Sequence, residues 1–187
     1  MERRTYRLGR RQESTDRTRA AILGAARDVL IGVSGSAVFN IGAVAVRAGV
    51  SRITVYNQFG SRAGLLRALA DGARRGPAAD SGPPEPRERL RQRIAGSSAV
   101  WASDPELFRS LPDVGSVEST MSASDRMIAE GLAASDQLRP GCSLKEAEDV
   151  IGALTSFPTF DRLHRGGRRS QAAVADILMR LAGAFLA

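Results

Sequence analysis

The apolar positions of this chain recur at helical spacing almost from end to end. Ile22, Ala25, Ala26, Val29 and Leu30 form a stripe that predicts a helix capped by Thr15 or Asp16, running to about Val33 and left through Gly35. A second stripe of Ile41, Val44, Ala45 and Ala48 predicts a shorter helix with Asn40 as its N-cap. Gly49 interrupts it where a positive φ is cheap only for glycine. Ser51 then caps a helix of about two turns, Arg52 to Gln58. Ser61 caps a fourth helix, with Arg62 in its first turn and Leu65, Leu66 and Leu69 facing inward. Helix, glycine turn and short helix in this order are the mark of a helix-turn-helix.

After the glycine, proline and serine cluster from Gly76 to Pro86, the pattern stays helical. Pro86 to about Ala102 carries Leu90, Ile94 and Val100 among arginines. Asp104-Pro105 reads as cap and first-turn proline of a short helix ending at Pro112. Ser119 to Leu138 is another helix, closed by Pro140-Gly141. Ser143 to Glu146 is a capping box opening a helix through Val150, Ile151, Leu154 and Phe157, which Pro158 kinks or stops. Ser170 caps a last helix whose Val174, Ile177, Leu178, Leu181 and Phe185 stripe reaches the final residues. No segment alternates with the period of a strand. The expected fold is all-α: an N-terminal helix-turn-helix domain, then a helical ligand-binding and dimerisation domain. The expected boundaries are a flexible basic arm over 1–16, the DNA-binding domain over 17–75, a linker over 76–86 and the second domain over 87–187.

Charge sharpens this division. Residues 1–75 hold 14 Arg against 5 Asp and Glu, a net of +9, whereas 76–187 hold 13 Lys and Arg against 15 Asp and Glu, a net of −2. A basic first part joined to a nearly neutral remainder points to a polyanionic partner for the first part. The arginine-rich arm over 1–16 has no periodic apolar face; it either lies along DNA or is a merely solvated, partly vector-derived tail. Val55 and Phe59 share the buried face of the third helix, so Ile53 and Asn57 point away from it, flanked by Tyr56 and Thr54. One apolar side chain among hydroxyl, amide and phenol groups suits base edges and thymine methyls in a major groove.

Phe39-Asn40-Ile41, Ala48-Gly49-Val50-Ser51, Thr54-Val55-Tyr56, Phe59 and Ser61-Arg62 before Leu65-Leu66 resemble the DNA-binding domain of TetR-type transcriptional regulators over about residues 17 to 75. The chain departs from that pattern at Asn40, where threonine is common, at Gly42-Ala43, which replaces a usually charged pair, and at Gln58, often an aromatic position. The resemblance implies a homodimeric regulator, most simply a repressor, that reads a palindromic double-stranded operator and answers a small-molecule effector of unknown identity. Arg52, Ile53, Thr54 and Asn57 are the expected base readers; Asn40, Ser51, Tyr56, Gln58 and Arg62 the expected phosphate contacts. Ile151, Leu154, Ile177, Leu178, Leu181 and Phe185 are the expected dimer interface, unless these stripes are consumed inside one monomer. Trp101, Phe108, Met121, Met127, Phe157 and Phe160 are the large or soft apolar side chains available to line an effector pocket.

The sequence speaks against an enzyme. A single histidine, His164, and a single cysteine, Cys142, leave no metal-ligand cluster and no Cys-His pair at a supporting spacing, and no phosphate-binding glycine motif occurs. No cofactor or metal is expected. No apolar run approaches the ~20 residues that span a bilayer, no apolar segment follows the N-terminal arginines, and one cysteine suits a reducing compartment, so a cytoplasmic location without membrane attachment is expected. The competing binding class, a sequence-independent nucleoid-type DNA binder, predicts basic residues spread across both halves.

Overall fold

Polar caps and glycines punctuate the chain into helices joined by short turns. A computed structural model describes residues 3–32, 39–73, 85–111 and 122–187. The helices are α1 (Arg3–Gly32), α2 (Ile41–Ala48), α3 (Arg52–Phe59), α4 (Arg62–Ala73), α5 (Pro86–Ser103), α6 (Pro105–Ser110), α7 (Ser122–Ala134), α8 (Leu144–Thr155), α9 (Phe157–Asp161) and α10 (Gln171–Ala182), with a π-helical turn at Arg162–Gly166. Among the described residues there is no strand, only a single antiparallel bridge between Leu138 and Leu186. The fold is all-α. The described residues divide into two units at Gly72 and Ala73, with Arg109, Ser110 and Leu111 grouping with the first.

The first unit buries Ile22, Ala25, Ala26 and Leu30 of α1 against Ile41, Val44 and Ala45 of α2, with Phe39, Val55, Leu65 and Leu69 completing the core. α1 begins at Arg3, well before the caps expected at Thr15 and Asp16, so the stretch expected as a flexible arm is helical from Arg3 onward. Arginine is a good helix former and no proline intervenes, so a helix anchored by its packed half extends backward without an apolar stripe. The expected Gly35 exit and the start of the expected 76–86 linker lie outside the described residues.

The second unit is centred on α5, whose Leu90, Ile94 and Trp101 are buried with Ile128 and Leu132 of α7, Ile151 of α8 and Leu178 of α10. Its boundaries differ from expectation at three places. α7 is helical from Ser122 to Ala134, the expected start at Ser119 lying outside the described residues; Asp136 then turns at a φ of 51° and frees Leu138 for its bridge. α8 ends at Thr155 because Ser156 takes an extended φ,ψ and caps α9, which holds Pro158 in its first turn. α10 stops at Ala182, after which Arg139 N–H donates to Phe185 O at 2.9 Å and Ala187 N–H to Gln137 O at 2.9 Å. The end expected for α6, Pro112, lies outside the described residues.

One polar pair crosses this core. Arg93 of α5 donates from Nε to Asp125 Oδ1 of α7 at 2.8 Å and from Nη2 to Oδ2 at 3.3 Å, with side-chain exposures of 10% and 5%. Removing one member of such a pair strands the other charge, whereas replacing both by apolar groups of similar volume is often neutral. Asp125→Ala is therefore expected to cost ~3–5 kcal/mol in urea unfolding, and Arg93→Met with Asp125→Leu to recover most of it. Equal losses in the single and double variants would show that the charges are not coupled.

Candidate nucleic-acid interface

Local chemistry sets the angle between α2 and α3. Asn40 holds an extended backbone and accepts from Ala43 N–H at 2.8 Å, fixing the start of α2. Gly49 ends the helix at a φ of 66°, and Val50 N–H reaches Ala45 O at 3.0 Å. Ser51 accepts from Thr54 N–H at 3.1 Å, and its hydroxyl lies 2.8 Å from the Thr54 hydroxyl. Val55 is buried, so its helix turns Ile53, Tyr56 and Asn57 outward; Ile53 is 71% and Tyr56 49% exposed.

The far end of α3 is held by contacts that the sequence does not advertise. Arg19 of α1 donates from Nη1 to Gln58 O at 3.2 Å, and its guanidinium lies 4.5 Å from the Phe59 ring centroid. Gly60 follows at a φ of 73°, donating its N–H to Tyr56 O at 2.7 Å. Ser61 caps α4 by accepting from Gly64 N–H at 3.0 Å. A Cβ on Gly64 would fall 2.0 Å from Phe59 O, so the two helices meet at a distance only glycine permits. Arg47 ties α2 to α1 through Asp28, its Nη2 2.9 Å from Oδ2.

The expected site residues thus divide by surroundings. Ile53, Tyr56 and Asn57 stand free on one exposed face of α3. Thr54 is half-buried with its hydroxyl engaged by Ser51. Arg52, expected at base edges, is turned back onto α2, where its Nη2 lies 2.7 Å from the place a Gly42 Cβ would occupy. Asn40 and Ser51 sit at helix starts, where backbone N–H groups suit phosphate. Gln58 is half-buried, and Arg62 lies over the Phe39 ring at 5.6 Å. Val46, 83% exposed on α2, was not singled out, although its place opposite the Val44 stripe marks it. From Val29 to Ala70 the sequence has no Asp or Glu, and with Arg47 paired to Asp28 it is Arg52, Arg62 and Arg67 that make the local field positive. This surface can bind a polyanion and present hydrogen-bonding groups with an aliphatic contact to base edges.

Residues 22–69 match the family model for bacterial regulatory proteins of the tetR family. Residues 22–69 therefore carry a DNA-binding region of the TetR type. It is similar to a TetR-like transcriptional regulator from Rhodococcus sp. RHA1, with 26% identity over 88% of this chain and 93% of that one, and a TM-score of 0.63. It shares its fold with NalD, the secondary repressor of the MexAB-OprM multidrug efflux pump in Pseudomonas aeruginosa, with 18% identity over 91% of this chain and 98% of that one, and a TM-score of 0.71. No curated protein matches the chain.

In the second unit the expected pocket residues that are described fall in different surroundings. Trp101, Phe108 and Phe157 pack on one another, with ring centroids 4.8 to 5.7 Å apart. Phe160 is buried and stacks on His164 at 5.0 Å, while His164 Nδ1 meets Arg169 O at 2.7 Å. Met127 is 63% exposed, because α7 turns Ile128 and Leu132 inward instead, and Met121 lies outside the described residues. Two open grooves are lined by other side chains, one by Arg91, Ala173, Asp176, Ile177 and Arg180, the other by Asp161, Arg162, Leu163 and Arg165. The residues expected at a dimer interface divide by burial. Ile151, Leu154, Leu178 and Phe185 are buried within the monomer, and only Ile177 and Leu181 of that set reach its surface, Leu181 being 51% exposed. Burial, and then Glu146, raise the Cys142 thiol above its ordinary pKa, which disfavours the thiolate. Among the described residues no group of acid, His and Cys side chains could hold a metal, and no helix is long and apolar enough to cross a membrane.

Gly64→Ala is expected to force α3 and α4 apart at Phe59, costing ~1–3 kcal/mol and weakening DNA binding. Thermal unfolding and fluorescence anisotropy read the two effects, and unchanged values in both would show that the corner has slack.

Proposed function

We propose that this chain is a ligand-responsive repressor that binds a palindromic operator as a homodimer. The observation that carries the reading is the outward face of α3, where Ile53, Tyr56 and Asn57 stand exposed on a helix fixed at both ends, in a region without a carboxylate. One such helix makes few contacts, which favours two protomers reading successive major grooves about 34–36 Å apart. Ile53 and Asn57 read base edges with Thr54 beside them; Asn40, Ser51, Tyr56, Gln58 and Arg62 meet phosphates. Residues 17–75 form the DNA-binding domain. Residues 87–187 form the dimerisation and effector domain, acting in the cytoplasm without an enzymatic role. NalD, of the same fold, is a repressor, which supports that direction of regulation. An effector acts by favouring a second-domain conformation in which the two reading helices are misspaced.

Competition at fixed salt between a palindromic site selected from random DNA and unrelated duplex tests the first claim. The selected site is expected to bind at least ~10³-fold tighter; equal affinities would support a nucleoid-type binder instead. Within the specific complex, Ile53→Ala and Asn57→Ala are expected to change base preference at ~1–3 kcal/mol per contact, while Arg62→Ala weakens all sites alike. A change of preference in Arg62→Ala without uniform weakening would overturn its assignment.

The dimer has its own test. Ile177 and Leu181 lie one helical turn apart on the open side of α10, the apolar residues available there for a second copy. Leu181→Glu is expected to shift the mass measured by light scattering from dimer to monomer without loss of helical circular dichroism. A dimer of undiminished stability would place the interface elsewhere.

A further inference from the structure

Gly42, the second residue of α2, has no backbone need for glycine, since its φ is not in the left-handed region. Glycine inside a helix costs about 1 kcal/mol against alanine, somewhat less near an end. What glycine supplies at this position is space. A Cβ there would lie 2.7 Å from Arg52 Nη2, 3.0 Å from Nε and 3.1 Å from Cζ, so the Nε–Nη2 edge of the guanidinium rests against the bare Cα. Gly49, seven positions on, shows the opposite case: a φ of 66° and nothing within 4 Å of a built Cβ. Arg52 is exposed and, among the described residues, no carboxylate pairs with it. It lies against α2 with no counter-charge among the described residues, on the rim between α2 and the N-terminus of α3.

We propose that Gly42 is a seat for the Arg52 side chain, and that the seated guanidinium is a fixed phosphate contact of the DNA complex, not a base reader. The proposal rests on the reading of this surface as the operator-binding face and deepens it. A side chain folded back across α2 does not extend along the outward face that carries Ile53 and Asn57. Position 42 therefore sets affinity without setting sequence preference. A guanidinium already seated also loses less rotamer freedom on meeting a phosphate than one swinging in solvent.

The test uses the full chain with Gly42→Ala, Arg52→Ala, Arg52→Lys and the double alanine variant. Each is measured against the selected site and against single-base variants of it, over a series of salt concentrations. Arg52→Ala is expected to lower affinity for every site by about eight-fold per protomer at ~0.1 M salt, the loss of one phosphate contact with a slope of about 0.9. Gly42→Ala is expected to weaken binding uniformly by displacing the guanidinium, and the double variant to bind no worse than Arg52→Ala alone. Arg52→Lys keeps the charge and is expected to retain most of the salt slope. A new base preference at one position in Arg52→Ala would make it a base reader and overturn the proposal, as would full affinity in Gly42→Ala. Helical circular dichroism separates these outcomes from misfolding, because alanine at position 42 favours the helix. If wild type itself shows no preferred site, the operator reading fails, a result distinct from failure of the seat.

Discussion

α3 buries a single side chain, Val55, and everything the first unit does depends on how that helix is nevertheless held still. Burying one valine contributes ~1.5–3 kcal/mol. Ordering eight residues costs ~1–2 kcal/mol each in backbone entropy, and an isolated helix of this length is marginal in water. What fixes its position beyond that burial lies at the ends. Ser51 satisfies an orphan N–H at the start; Arg19 takes the Gln58 carbonyl at the finish and stacks on Phe59. Gly60 and Gly64 then let α4 begin hard against the last carbonyl of α3. A helix fixed by its ends leaves its long outer face free of packing duty. For that reason Ile53, Tyr56 and Asn57 can be chosen for what they meet outside the protein.

The same separation of duties explains what was legible in the sequence. The caps at Asn40, Ser51, Ser61, Ser143 and Ser170 were readable because a cap and the N–H it satisfies lie three residues apart. The phase of α3 was readable because Val55 and Phe59 share one face. Arg19 with Gln58 and Arg93 with Asp125 were not, since their partners stand 39 and 32 residues away and many arginines offer equal claims. Gly64 and Gly42 were also silent, because close approach leaves no periodic trace. The start of α1 was misplaced for a related reason: a stripe marks where a helix packs, not where it begins.

Apolar periodicity records that a face is buried, without saying by what. Ile151, Leu154, Leu178 and Phe185 satisfy the pattern of an interface equally well from inside one monomer, and there the structure puts them. Only the odd positions of the same stripe, Ile177 and Leu181, are left for a partner. Met127 shows the converse, an apolar side chain off the phase of Ile128 and Leu132 and therefore outside. A few displaced positions decide between core and interface, and single-sequence periodicity does not resolve them.

Trp101 makes the corresponding argument for the second unit. Pro158 has no N–H, and the break at Ser156 leaves the last carbonyls of α8 without their helical donors. Two of them find replacements across the break. Ala153 O accepts from Ser156 Oγ at 2.9 Å and Thr159 Oγ1 at 2.7 Å, and Thr155 O accepts from Trp101 Nε1 at 2.8 Å across the core from α5. The indole is thereby committed to holding the α8–α9 break, with Phe108 and Phe157 packed on its ring. A buried carbonyl stripped of its donor costs ~1–3 kcal/mol, so a ligand that displaced Trp101 would have to supply a donor of its own to Thr155. In this packing the aromatic cluster fastens the break in the helix.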